Sequence, residues 1–238
     1  MLLVSLYGTK SIAVSSILSI LGFCGAAYTI GRIARDAGKR IQDDLFSKWG
    51  GAPTTQILRH QDTFIDVHTK ESCHAVISKG LGKNLPTKEM EIANPKAADE
   101  LYRAATVWLI NQTRDTKVHP LVFKENIAFG FHRNALGIRP VGITVSILCI
   151  VWVLLYAQVL KIVPPYMSGE NLLDLTPPIL TTLGVSILLL FTWTFWLTED
   201  ALKRAGFSYA ERLLQSYDKI KTTAPKAPKK ATPKIAGE

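Results

Sequence analysis

Apolar and polar positions separate into long blocks along this chain, and three of those blocks lack the interruptions expected of a water-soluble core. A bilayer core of about 30 Å needs about 20 apolar helical residues. Ile179 to Leu197 (ILTTLGVSILLLFTWTFWL) meets that length without a charge, and Trp193 and Trp196 lie near its end, where aromatic rings favour the headgroup level. Val141 to Val163 is nearly as apolar; Pro140 sits at its start, Pro164-Pro165 follow it, and its charge, Lys161, is terminal and can snorkel. Ser11 to Gly31 is weaker, with five Ser and Thr residues and the small residues Gly22, Gly25, Ala26 and Ala27, which let a neighbouring helix approach. A cleaved leader is not expected there: Lys10 makes a thin basic start and no good small-x-small cleavage site follows Leu21.

The pattern between the windows is helical. Ile33, Ala37, Ile41 and Leu45 recur every four residues, so the first window is expected to continue as an amphipathic helix until Trp49-Gly50-Gly51-Ala52-Pro53 breaks it. Thr54 to His68 reads as loop, and Ser72 to Leu81 as a short helix closed by Gly80 and Gly82. Asn94-Pro95 opens the clearest helix of this region, striped by Ala98, Leu101, Tyr102, Ala105, Trp108 and Leu109, with Asp99 and Arg103 spaced as an ion pair. Another starts at Pro120, with Phe123, Ile127 and Phe131 on one face and Gly130 and Gly137 loosening it. After the third window, Gly206 reads as a break and Ser208 to Glu211 as a capping box before Leu213, Leu214 and Tyr217.

The fold class that follows is an all-α membrane protein: three transmembrane helices with a mostly helical cytosolic domain between spans one and two. The expected parts are an N-terminal transmembrane helix (1–31), a cytosolic helical domain (32–139), and two transmembrane helices with a short external loop (140–197). A cytosolic amphipathic helix (198–220) and a disordered Lys/Pro/Ala tail (221–238) complete them.

Charge adds the orientation. The 238 residues carry 28 Lys and Arg against 19 Asp and Glu, a net +9. Arg32, Arg35, Lys39 and Arg40 follow the first window, Lys124, Arg133 and Arg139 precede the second, and Lys203 and Arg204 follow the third. Pro164 to Pro178 holds no cation. Cationic flanks stay cytosolic, so the N-terminus is expected outside, residues 32–139 and the C-terminus inside, in the inner membrane. The net +5 of residues 32–139 follows from the same bias, so nucleic acid is not an expected partner. Three cysteines exclude a disulfide scaffold.

Signals for chemistry are sparse. Arg114 and His119 stand in an Arg-x4-His spacing that resembles the signature of HEPN-type ribonucleases, in which such a pair would act on an RNA phosphate; the competing reading is a helix-end arginine followed by a loop histidine. His60, His68, Cys73 and His74 cluster with Asp62 and Asp66, but their spacing matches no zinc pattern and a polar loop is expected. There is no Walker loop, GxGxxG or GxSxG, so no cofactor and no metal is expected. Ser15, Ser19, Gly22 and Ala26 share one face of the first span, a seam for a homo-oligomer or for packing within the chain.

Several strings occur together: Lys48-Trp49-Gly50-Gly51-Ala52-Pro53-Thr54-Thr55, Leu58-Arg59-His60, Pro86-Thr87-Lys88-Glu89, Phe123-Lys124-Glu125-Asn126-Ile127, and Gly130 through Gly142. Over residues 48–142 the chain resembles uncharacterised bacterial multi-spanning membrane proteins found in phage-defence gene clusters. The resemblance implies a membrane effector, or a membrane partner, of such a system; it carries no residue roles. The expected function is therefore non-enzymatic: a protein in the lipid bilayer whose cytosolic domain binds a signal or a cytosolic protein partner and perturbs the membrane. A passive anchor or assembly subunit is the alternative, and a membrane-tethered HEPN-like ribonuclease a third.

Overall fold

The computed structural model describes residues 12–164, 166–167 and 175–223, with backbone alone for 12–15 and 221–223. Of the expected disordered tail (221–238), residues 221–223 are helical, closing the helix that begins at Tyr217; the remainder, and most of the expected external loop, lie outside the described residues. Those described are helical apart from loops and one isolated bridge between Leu160 and Met167. Three of the helices are long and apolar enough to cross a membrane.

The helices are Ile12–Lys48 (α1), Pro53–Gln56 (α2), Val67–Leu81 (α3), Lys88–Ala93 (α4), Pro95–Gln112 (α5), Pro120–Tyr156 (α6), Pro177–Phe191 (α7), Glu199–Gln215 (α8) and Tyr217–Thr223 (α9). The chain forms two compact units. Among the described residues, one comprises those up to Ala52 with Asn126–Gly206; the other comprises Pro53–Glu125 with those from Phe207 to residue 223. Neither boundary set coincides with the cuts at 31/32 and 139/140 that span lengths suggest. Span rules place a cut where a hydrophobic run ends, whereas α1 and α6 run through both cuts without a break.

In the first unit, α1 ends where Gly50 and Gly51 take positive φ (84° and 132°), a backbone state that a Cβ disfavours. α1 meets α6 with backbones in contact. A Cβ on Gly137 would collide with the main chain of Ala37 and Gly38, and a Cβ on Gly38 would come within 3.0 Å of the main chain of Arg133 and Asn134. Ala34 of α1 and Ala135 of α6 are also buried, and Phe46 stacks on Phe129. Gly137 is therefore a contact point rather than a loosening of the helix. Pro140 withdraws one backbone hydrogen bond, yet α6 continues to Tyr156, as membrane helices tolerate. It stops seven residues short of Val163. Gln158 adopts φ 58°, Val159 N–H reaches Leu154 O and Gln158 N–H reaches Leu155 O, which is a Schellman closure.

α7 packs on α6 where the Trp193 indole lies on Gly142, which has no room for a Cβ. Trp193 thus serves packing within the unit. At the end of α7, Thr192–Trp196 forms a π-helical turn. Arg139 donates from Nε to Trp193 O and from Nη2 to Thr194 O, 2.9 Å each, satisfying carbonyls near that turn. The hydroxyls of Thr29, Ser146, Thr181, Thr182, Ser186, Thr192 and Thr194 each donate to the carbonyl four residues earlier, at 2.7–2.9 Å. That arrangement suits a solvent with no hydrogen bonds to offer. The unit also exposes large side chains such as Phe23 (76%), Trp152 (70%) and Leu188 (64%), a surface that water would not stabilise. Lys48 Nζ and Trp49 Nε1 both donate to the Glu199 carboxylate (2.7 and 2.9 Å), tying the end of α1 to the start of α8.

In the second unit, α3 starts five residues before Ser72, because Asp66 caps it by accepting from Thr69 N (2.9 Å). Gly82 at φ 67° ends it. α4, which hydrophobic periodicity does not reveal, is capped by Thr87. α5 begins as its N-cap and proline require, with Asn94 accepting from Ala97 N. α8 passes through Gly206 unbroken, so Ser208 caps nothing. Its Ala210, Leu213 and Leu214, and Ile220 of α9, join Ile57, Leu58, Cys73, Ile77, Tyr102, Ala105 and Leu109 in one core. Phe123 of this unit, and Ile127 and Phe131 further along α6 in the first, remain about half exposed. Each fully buried leucine contributes roughly 1.5–3 kcal/mol by leaving water.

The same substitution at two glycines of α6 should act oppositely. Gly137→Ala should cost about 1–3 kcal/mol by forcing α1 and α6 apart. Gly130→Ala meets nothing within 4 Å and should stabilise the helix by up to about 1 kcal/mol. Thermal unfolding of the two variants in one detergent measures the difference.

Candidate functional site

The second unit is built around a turn, Leu58 to Asp62, that makes no regular secondary structure; Leu58, Arg59 and Asp62 N–H reach nearby carbonyls, and side chains satisfy the other backbone groups. α3 supplies Lys70, whose buried ammonium donates to Arg59 O (2.7 Å) and to Asp62 O, and His74, whose Nε2 lies 2.9 Å from Leu58 O. α4 supplies Glu91, which accepts from His60 N (2.8 Å) and Gln61 N (3.3 Å). α5 supplies Tyr102, whose hydroxyl donates to Glu91 (2.7 Å), and Asp99, which takes a two-pronged bond from Arg59 at 2.8 and 2.7 Å. Asp99 therefore pairs with Arg59 rather than with Arg103, which turns to Glu100 instead. His60 reaches Pro86 O (2.9 Å) and meets the His74 ring edge-on at 5.1 Å.

The electrostatics follow from this crowding. Burial pushes the His74 imidazole down to about 4, so it is neutral at pH 7. Burial lowers the Lys70 ammonium against the opposing pull of Asp62 and Glu91. Burial works to raise the Glu91 carboxyl, but the bonds from Tyr102, His60 and Gln61 prevail and hold it below the usual carboxylate range. Burial, with the bond to Glu91, raises the Tyr102 phenol. Burial pushes the Cys73 thiol up to about 12 and removes its nucleophilic character. The cluster's donors and acceptors are engaged in holding the turn against α3, α4 and α5.

Two concavities open beside the cluster. One, about 600 Å³, is lined mainly by apolar groups of Ala75, Val76, Trp108, Tyr217 and Ile220, with Lys79 at its wall. The Trp108 indole lies against Gly80, where no Cβ would fit. The other, about 710 Å³, mixes polar walls from His60, Glu71, Asn84 and Lys88 with apolar ones from Ala75, Leu85 and Pro86.

The residues singled out from the sequence are dispersed. Arg114 is exposed just past α5; His119 is buried in the turn before α6, its imidazole lowered by burial and by Lys219. Among the described residues, no hydrogen bond or ion pair joins Arg114 to His119. Asp115 takes Lys117 N and Val118 N, an ordinary side-chain-closed turn. His68 is exposed, Cys73 lies by Leu214 O, and His60 and His74 serve different carbonyls. Among the described residues, no three His, Cys, Asp or Glu converge to hold a metal. Ser15, Ser19, Gly22 and Ala26 all lie in α1. Ser19 and Ala26 are exposed, and nothing lies within 4 Å of a Cβ on Gly22. Sequence reasoning missed Arg59, Lys70, Glu91 and Asp99 as a set. Thr87 ahead of Lys88 to Glu91 was an available N-cap signal for α4.

Comparison with protein-family models, with curated proteins and with solved structures finds no match to this chain.

The cluster sets a pH dependence. The His74 imidazole is depressed in the folded state, so the unfolded chain binds the extra proton between about pH 6.5 and 4, and stability falls as pH falls through that window. The loss should approach about 3 kcal/mol by pH 4 from this residue. His74→Gln, which retains a donor for Leu58 O, should flatten the slope in denaturant titrations at pH 7 and pH 5. Glu91→Ala strands two backbone N–H groups and the Tyr102 hydroxyl, and should cost about 3 kcal/mol or more at pH 7 in the same assay.

Proposed function

We propose that this chain is a non-enzymatic inner-membrane protein with three crossings, whose second unit faces the cytosol and receives a protein partner or signal. In this reading its output is exerted on the membrane, as an effector of a bacterial antiphage defence system. The observation that carries the topology is the shared core: Pro53–Glu125 and the segment from Phe207 belong to one compact unit. Segments that share a core stand on the same side of a bilayer, so the chain between them crosses an even number of times. α6 and α7 supply two crossings; α1 adds a third. The cationic residues flanking the three apolar stretches then favour the cytosol for that core. Supporting an output at the membrane, the membrane half of α1 presents Gly22 and Gly25 with nothing within 4 Å, a surface available to another copy.

A passive anchor is the second reading. It is favoured by the apolar concavity around Trp108, Tyr217 and Ile220, a surface suited to an apolar segment of a cytosolic protein.

Reporter fusions at Lys96 and after Gln215 should both report cytosol, and a periplasmic signal from either overturns the topology. Overproduction should depolarise cells in a potential-sensitive dye assay, and Gly22→Leu should reduce that effect. Absence of depolarisation under every stimulus, with a partner lost from the membrane once the spans are deleted, favours the anchor.

A further inference from the structure

The long helix α6 begins without a side-chain cap. His119 stands before it, a residue type that seldom caps, and Pro120 has no N–H to give. Phe123 N–H reaches His119 O (3.2 Å), but among the described residues the N–H groups of Leu121 and Val122 reach no acceptor. Val118 O, four residues before Val122, instead takes Lys219 Nζ of α9 at 2.9 Å. Val122 is a buried residue, where an N–H without an acceptor is costly.

His119 is 6% exposed, and among the described residues its ring nitrogens make no hydrogen bond. They are nonetheless not sealed in: the fully enclosed, unpartnered side-chain nitrogen of the described residues belongs to His132. His119 instead lines a cavity of about 250 Å³, together with the first turn of α6, Arg212 and Gln215 of α8, and Asp218 and Lys219 of α9. Hydrogen bonds hold both cations at this cavity. Lys219 is fixed on Val118 O, beside His119, and Arg212 donates from Nη1 to Gln215 Oε1 (2.7 Å). A guanidinium has five donors, so that bond leaves Arg212 others. Asp218 is the opposing carboxylate, and it also interacts with Tyr217.

These donors converge from three helices, and the first turn of a 37-residue helix adds its positive end. A carboxylate presents two oxygens in one plane, whereas a tetrahedral phosphate presents oxygens in each of these directions. The volume lies below the roughly 300–1,000 Å³ that encloses a drug-sized molecule, so the cavity suits a single group.

We propose that this cavity holds the phosphate group of a soluble cytosolic molecule, bound by the Leu121 and Val122 N–H groups, His119, Arg212 and Lys219. The soluble source rests on the membrane reading above. Val141, where the apolar stretch of α6 begins, lies about 30 Å further along that helix at about 1.5 Å per residue, which sets the cavity beyond the headgroup layer. The phosphate chemistry does not rest on that reading.

The test uses the full chain in neutral detergent at constant ionic strength, titrated with inorganic phosphate or acetate and followed by equilibrium dialysis and Tm. Phosphate should bind and raise Tm; acetate should do neither. Arg212→Gln should weaken phosphate binding about tenfold, the loss of one charge-assisted contact. Arg103→Gln, which removes an exposed cation of α5 paired with Glu100, should leave it unchanged. His119→Phe, checked for helicity by circular dichroism, keeps a ring but removes its donors and should also weaken binding. Acetate binding as tightly as phosphate, or equal behaviour of Arg212→Gln and Arg103→Gln, overturns the proposal. Because Arg212 is exposed, its variant decides the matter even where His119→Phe fails to fold. Glycerol phosphate competing with phosphate supports a soluble ligand. Phosphatidic acid retained from vesicles through detergent extraction, and displaced by phosphate, overturns the soluble source. A periplasmic reporter at Lys96 overturns the membrane reading instead and leaves the phosphate titration to decide the site.

Discussion

The structure depends on a core assembled from two pieces of chain that lie on either side of a hydrophobic hairpin. Leu213 and Leu214 of α8 are as completely buried as Ile57, Leu58 and Leu109, with 141 residues separating Cys73 from the Leu214 carbonyl it approaches. Removing the segment after α7 would open that core, so the second unit is not a domain inserted between two spans. It is closed only when α6 and α7 have been made and the chain has returned. Loop-closure entropy for so long an intervening segment is modest in growth but must be offset by burial, and the three α8 side chains with Ile220 supply it.

The two units meet the same requirement by different means. A polar group must be hydrogen-bonded wherever water is missing. In the apolar helices, hydroxyls fold back on carbonyls of their own helix, and Arg139 satisfies the main chain at the π-helical turn. In the second unit the irregular turn Leu58–Asp62 is satisfied by side chains from three helices, and Glu91 alone accepts three donors. The ionisable groups of that cluster are perturbed for this reason. Perturbed groups often mark catalysis, but here each is already engaged with a backbone atom or a neighbour, which is the signature of a device that holds a turn.

The functional proposal rests on topology: in a chain that spans a bilayer, a shared core requires an even number of crossings between its parts. α6 contributes residues to both units, so a force on one unit is passed along a continuous helix of the other.

Much of the architecture was legible in the residues. The three apolar stretches, the Gly50-Gly51 stop and the Asn94-Pro95 start follow from local rules: bilayer length, positive φ and N-cap geometry are decided by a few neighbouring positions. Helix boundaries were less so. Gly206 and Pro140 do not break their helices, because surrounding packing outweighs a local propensity of about 1–3 kcal/mol. The early end of α6 at Tyr156 depends on Gln158 adopting a backbone state that its side chain does not announce. The cluster was illegible: Arg59 chooses Asp99 forty residues away over any local partner. No spacing rule reveals that Gly38 and Gly137 touch. Sequence alone determined which segments are long and apolar enough to leave water, since transfer free energy belongs to each residue and adds along the chain. Tertiary structure decided which charges meet and which glycines must remain glycine, because those depend on distances between residues that the chain brings together only when it folds.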